Sequence, residues 1–131
     1  MYRSRLVGKE FNNEAMDGIF AGTPPLEALR CLIHEAATIC DKDDPHLKVI
    51  MINDVARAFF EAPIARDVCI ELPEEELEGE EDPEAWVGKL QMSLYGTRDA
   101  AANWVDEYSS KLLNMGFAQG KATPCVFYKV D

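Results

Sequence analysis

Leu47-Lys48-Val49-Ile50-Met51-Ile52-Asn53-Asp54-Val55-Ala56-Arg57-Ala58-Phe59-Phe60 is the stretch on which the fold turns. Its first six residues are almost wholly apolar and rich in β-branched side chains. That pattern predicts a central strand covered on both faces. The strand would run straight into Asn53-Asp54, placing a carboxylate at its mouth, where a sheet can present a reactive group to a cleft. Asp54 is equally suited to cap the short helical turn that Val55 to Phe60 predicts, and position alone favours the cap. By the same standard Phe59 and Phe60 read as core before they read as ligand contacts. Pro63 stops the turn.

Upstream, Thr23-Pro24-Pro25 reads as a helix start, with Thr23 as N-cap, prolines in the first turn and Glu27 near the positive end of the dipole. Leu26, Leu29, Leu32, Ile33, Ala36, Ala37 and Cys40 follow at helical spacing and predict one buried stripe. Asp41 to Pro45 closes that helix as a polar turn. Tyr2 to Val7 alternates as a short strand would. Downstream, Arg66 to Leu72, Trp86 to Tyr95 and Cys125 to Tyr128 are further strand candidates. Thr97 to Met115 is the best helix: Ala101, Trp104, Val105, Tyr108, Leu112 and Met115 share one face, and Gly116 is its C-cap. The order predicts an α+β fold, helices packed on a largely antiparallel sheet, in a single domain.

Composition narrows the classes. The 131 residues are 47% hydrophobic and 28% charged, the balance of a globular domain. No apolar run approaches the roughly 20 residues that cross a bilayer, and the first eight residues hold no long apolar segment. An intracellular, cytoplasmic protein without signal peptide or membrane partner is therefore expected. The net charge of −11 is local. Nine of the 24 acids lie between Glu71 and Glu84, where there is no base, and without them the 13 basic and 15 remaining acidic side chains nearly balance. Like charges at that density resist packing, so 71–84 reads as a solvated acidic loop, with a partner-binding surface as the lesser reading. Cys31, Cys40, Cys69 and Cys125 lack the spacing of a zinc or redox motif. Cys31 and Cys125 read as buried thiols in a reducing compartment. His34 and His46 form no ligand pair, so any metal site must be built on carboxylates. No phosphate-cradling glycine loop and no nucleophile-elbow serine is present.

In this order the segments resemble the reverse transcriptase domain of copia-type retrotransposons. Residues 2–11, Tyr-Arg-Ser-Arg-Leu-Val-Gly-Lys-Glu-Phe, are similar to the family's fingers strand, usually Lys-Ala-Arg-Leu-Val-Ala-Lys-Gly-Phe. Thr-Pro-Pro-Leu-Glu-Ala-Leu-Arg (23–30) resembles the helix before the catalytic strand. Asp-Val-Ala-Arg-Ala-Phe (54–59) matches Asp-Val-Lys-x-Ala-Phe, the first catalytic motif. Val-Cys-Ile-Glu-Leu-Pro-Glu (68–74) resembles Val-Tyr-Met-x-Gln-Pro-Glu. Lys89-Leu90, Ser-Leu-Tyr-Gly (93–96) and Trp104 match Lys-Leu-x-x-Ser-Leu-Tyr-Gly followed by Trp, and Gly-Phe (116–117) with Cys-Val-Phe (125–127) completes the series.

The resemblance implies one partial polymerase domain over 1–131, with a fingers strand at about 2–11, a palm at about 23–130 and the acidic loop at 71–84. It implies that Asp54, helped by the Val55 carbonyl, holds Mg2+ for nucleotidyl transfer from a dNTP to a primer 3′-hydroxyl, since hard oxygen ligands suit that ion. Phe59 stands where the family places its gate against a ribose 2′-hydroxyl. Arg5, and next Arg3, would reach the triphosphate; Tyr95 and Gly96 would lie beside the nascent base pair. The implied partners are an RNA or DNA template-primer and the remainder of a Gag-Pol-type polyprotein. Some positions depart from the pattern. Where the family reads Leu-Lys-Gln-Ala-Pro-Arg this chain reads Thr-Arg-Asp-Ala-Ala-Ala (97–102), two family bases are Gln91 and Met92, and Asn-Gly is Glu61-Ala62. The Tyr-x-Asp-Asp motif does not occur in the 131 residues, so a fragment inactive by itself is expected, with a non-catalytic remnant acting as a binding module as the alternative.

Overall fold

The computed structural model describes residues 6–38, 50–79, 82 and 85–129. The chain divides into two units, Met1–Ala21 with Arg57–Ser110, and Gly22–Ala56 with Lys111–Asp131.

In the first unit, β1 (Cys69–Glu71) and β2 (Val87–Lys89) pair antiparallel, with Cys69 opposite Lys89, Ile70 opposite Gly88 and Glu71 opposite Val87. The pairing continues beyond the strands. The Leu90 N–H donates to the Val68 carbonyl at 2.9 Å, Pro63 bridges Met92, and the Ser93 N–H donates to the Ala62 carbonyl at 2.8 Å. The segments predicted as strands over 66–72 and 86–95 are thus two sides of one hairpin. Their regular part is short because residues 65–67 bulge out between the Ile64 N–H bond to the Gln91 carbonyl and the Leu90 N–H bond to the Val68 carbonyl. Between them Glu74–Glu76 form a 3-10 turn, and Glu71, Glu74, Glu75, Glu76, Glu78 and Asp82 are all exposed.

Helix α1 (Ala100–Asn114) is the longer of the two α-helices among the described residues. It ends in a Schellman turn: Gly116 has φ +86°, its N–H donates to the Leu113 carbonyl at 2.9 Å, and the Phe117 N–H donates to the Leu112 carbonyl at 3.0 Å. Trp104 and Tyr108, one turn apart, pack at a tilt of 58° with ring centroids 5.6 Å apart. Ala100, Ala102 and Ser109 are its buried residues, whereas Met115 is 63% exposed.

The buried apolar residues described are Ala62, Leu94, Ala100 and Ala102, and they share their space with Ser93, Thr97, Asp99 and Ser109. All of them belong to the first unit. Its interior is therefore small and half polar. Three alanine methyls and one leucine stabilise by only about 0.8 and 1.5–3 kcal/mol apiece, so directional polar contacts have to set the geometry.

The second unit contains helix α2 (Leu26–Ala37, numbered after α1 although it precedes it in sequence) and a two-stranded sheet. In that sheet β3 (Ala118–Gln119) pairs antiparallel with β4 (Phe127–Tyr128). Pro25, not Thr23, occupies the N-cap of α2 and supplies no side-chain cap bond. The helix closes on Thr38, whose hydroxyl donates to the Glu35 carbonyl at 2.6 Å. The stripe expected to be buried is open: Leu26, Leu29, Leu32 and Ile33 are each about half exposed.

Several expectations change here. Cys31 is exposed, not buried, because it sits on that open helix. Ile50-Met51-Ile52, expected within a covered strand, is irregular chain and is exposed, with Ile52 at 90%. An apolar run makes a strand only when a neighbour supplies the ladder. Leu6 and Val7, from the predicted first strand, are likewise irregular and exposed. Residues 1–5, 39–49, 80–81, 83–84 and 130–131 lie outside the described set, and with them Arg3, Arg5, Cys40 and the Asp41–Pro45 turn. No helix of the described residues is long and apolar enough to cross a membrane.

Because φ +86° at Gly116 favours glycine, Gly116→Ala should cost about 1 kcal/mol, read as a lower urea midpoint for the loss of helical circular dichroism. An unchanged midpoint would show that the turn does not stop the helix.

Candidate functional site

Two of the expected site residues meet in the first unit. Phe59 lies in a 3-10 turn, Ala58–Glu61, entered through Arg57 in the left-handed region (φ 56°, ψ 42°). That conformation is uncommon outside glycine and aims the two phenylalanines that follow. The turn leads into Ala62, which is fully buried. Phe59 and Tyr95 pack with centroids 4.6 Å apart at 44°, and Phe60 meets the same tyrosine edge-on at 5.7 Å. Such tilted pairs are worth about 0.5–1.5 kcal/mol beyond their burial. Phe59 and Tyr95 remain half-buried, so their rings line a surface.

Tyr95 is held from behind by the Ser93–Thr97 turn. The Ser93 hydroxyl accepts from the Asn103 side-chain amide at 3.0 Å, and the Thr97 hydroxyl donates to the Leu94 carbonyl at 2.8 Å. The Tyr95 carbonyl accepts from the Gly8 N–H at 2.6 Å. Gly96, at φ +92°, lets the chain at Gly8 lie directly on the turn; a Cβ there would collide with the Gly8 carbonyl.

Beside this turn lies an ionic cluster that sequence reading missed. The Arg66 guanidinium donates to both carboxylate oxygens of Asp99 at 3.1 Å each, and to Glu10 Oε2 at 2.6 Å. The same Glu10 oxygen accepts from the Arg98 backbone N–H at 2.9 Å. Asp99 also accepts from the Asn103 side chain at 3.2 Å. Asp99 stands just before α1, where a carboxylate is favoured by the helix dipole. Burial pushes both carboxyls up. For Glu10 the bonds from Arg66 and the Arg98 N–H, with the charge of Arg66, outweigh burial and hold it below the usual range. For Asp99 the bonds from Arg66, Asn103 and its own N–H, with the charge of Arg66, do the same. Arg66 is raised in turn, chiefly by its bonds to Asp99 and then Glu10. The signal that could have exposed the cluster was in the sequence: Glu10 stands where the fingers pattern has glycine, and Asp99 where the second motif has an amide.

Asp54 and Val55 lie in the second unit, and both are exposed. Asp54 does not cap the following turn, since Arg57 holds that position and no side chain caps it. Its carboxylate is therefore available. Among the described residues no three His, Cys, Asp or Glu side chains gather as a metal site requires. Asp54 with the Val55 carbonyl fits one arm of a hard-ion site, and the described residues by themselves do not fit the whole of one.

The chain is 28% identical over 132 residues to the retrovirus-related Pol polyprotein from transposon TNT 1-94 of Nicotiana tabacum. The similarity covers 98% of this chain and 9% of that polyprotein. No family model matches the chain. No solved structure matches it. The likeness to a retrotransposon Pol polyprotein, running over nearly all 131 residues, supports a retroelement origin.

Because Glu10 and Asp99 titrate lower folded than unfolded, the unfolded chain takes up more protons in the interval between. Their stabilisation should be complete above about pH 4.5 and lost as the pH falls through the folded values. Urea midpoints measured from pH 7 to pH 3 should therefore drop on the acid side. Arg66→Gln should lower the unfolding free energy at pH 7 by about 2 kcal/mol, read as a lower urea midpoint, and flatten that acid limb; an identical limb in the variant would show that the cluster does not stabilise the fold.

Proposed function

We propose that this chain is the fingers-palm part of a retroelement RNA-directed DNA polymerase and that it does not polymerise by itself. The observation that carries the reading is the similarity to a Pol polyprotein across 98% of the chain, with the motifs of the first and second catalytic segments in order. The packing of Phe59 on Tyr95 is consistent with it, since the gate and the second motif have to share one nucleotide pocket.

In this reading Asp54 supplies one carboxylate toward Mg2+, with the others coming from elsewhere in the polyprotein. Phe59 presents a flat ring to the sugar, and Tyr95 with Gly96 borders the base pair. Arg5 and Arg3 serve the triphosphate. Template-primer and dNTP are the partners, in the cytoplasm. The alternative, a non-catalytic remnant that binds a basic partner, draws on the exposure of the acidic residues between β1 and β2.

Primer extension separates the two. The 131-residue chain with template-primer, dNTPs and Mg2+ should yield no product. A polyprotein carrying this sequence should extend the primer, Asp54→Asn should reduce that by about a thousandfold or more, and Phe59→Val should admit ribonucleotides. Product from the isolated chain would refute its inactivity, and a polyprotein indifferent to Asp54→Asn would refute the polymerase reading.

A further inference from the structure

Leu6, Val7 and Phe11 are 58%, 58% and 63% exposed, so the segment 6–11 is not held to the first unit by buried apolar side chains. The Lys9 ammonium lies 5.4 Å from the Phe11 ring centroid, and the Asn13 N–H donates to the Phe11 carbonyl, so part of its contact is with itself. Among the described residues two polar attachments fix it: the Gly8 N–H on the Tyr95 carbonyl, and the Glu10 carboxylate on Arg66 and the Arg98 N–H. Behind the segment lies a groove of about 710 Å³, walled by 6–11 on one side and Arg66–Glu71 on the other, with the buried Leu94 and Thr97 on its floor.

We propose that Leu6–Phe11 is a strap that opens as one piece over the Tyr95–Thr97 turn, with the Glu10–Arg66 contact as its latch. A segment attached by a few polar bonds opens at a small fraction of the global unfolding free energy. The charge-assisted contacts of Glu10 are the strongest of these bonds. The Gly8–Tyr95 bond is a single neutral one and cannot hold the strap once Glu10 is released. Arg66 does not follow the strap, because both of its bonds to Asp99 remain. Opening therefore uncovers Leu94, Thr97 and the Tyr95 carbonyl and leaves β1 and the start of α1 in place. The strap is independent of the polymerase reading, because every contact in it lies within the first unit of this chain.

Amide hydrogen exchange on the 131-residue chain at pH 7 tests it. Glu10→Gln keeps the side-chain shape and removes the charge; the Gly8 amide should then exchange about tenfold faster or more, while the amides of Asn103 to Tyr108 keep their rates. Val7→Ala, at an exposed position, should leave Gly8 unchanged. Equal acceleration at Gly8 and along α1 in Glu10→Gln would make Glu10 a general structural contact and overturn the strap. So would an unchanged Gly8 rate, or a Val7→Ala effect as large as that of Glu10→Gln.

Discussion

The first unit depends on the Arg66 guanidinium. Arg66 leads into β1, Asp99 leads into α1, and Glu10 belongs to the N-terminal segment, so one planar cation fixes three stretches of chain that are distant in sequence. Only a fork-shaped donor can serve Asp99 with two bonds and Glu10 with a third, and a lysine ammonium could not reproduce that geometry. The Asp99 side chain is only 8% exposed, so its carboxylate would be costly without this partner. Among the described residues the buried apolar ones are three alanines and one leucine, so polar contacts such as these carry much of the unit's geometry.

The aromatic group follows from the same arrangement. The Ser93–Thr97 turn is tied to Asn103, and Asn103 also donates to Asp99, so the ionic cluster and the turn share a residue. Tyr95 projects from that turn against Phe59 and Phe60. The left-handed Arg57 supplies the other half by directing the phenylalanines toward it. The half-buried rings of Phe59 and Tyr95 thus rest on a polar, hydrogen-bonded support.

The elements that could be read in the sequence were those whose ends carry their own chemistry. The long helix combines a helical stripe with Gly116, and the structure places its C-terminal turn there. Two strand candidates could be read on either side of an acidic insertion that cannot pack, and the structure pairs them as one hairpin. The burial of Leu26 to Ile33 and of Ile50 to Ile52 could not be read, because periodicity shows which face is apolar and not whether anything covers it. The ionic cluster was hidden for another reason. Asp99 looked like the loss of an amide, and nothing in the pattern singled out Glu10; each makes sense only once Arg66 is seen between them. Asp54 stood out through the motif alone; the structure shows it exposed and not capping the Ala58–Glu61 turn.

Amide line broadening by Mn2+, recorded on the chain alone and on the chain continued into the remainder of a Pol polyprotein, reports where a divalent ion sits. Broadening should centre on Asp54 and Val55 in the continued form, with no such centre in the chain alone. Broadening centred on the acidic run between Glu71 and Glu84 in both forms, with Asp54 untouched, would contradict the polymerase reading.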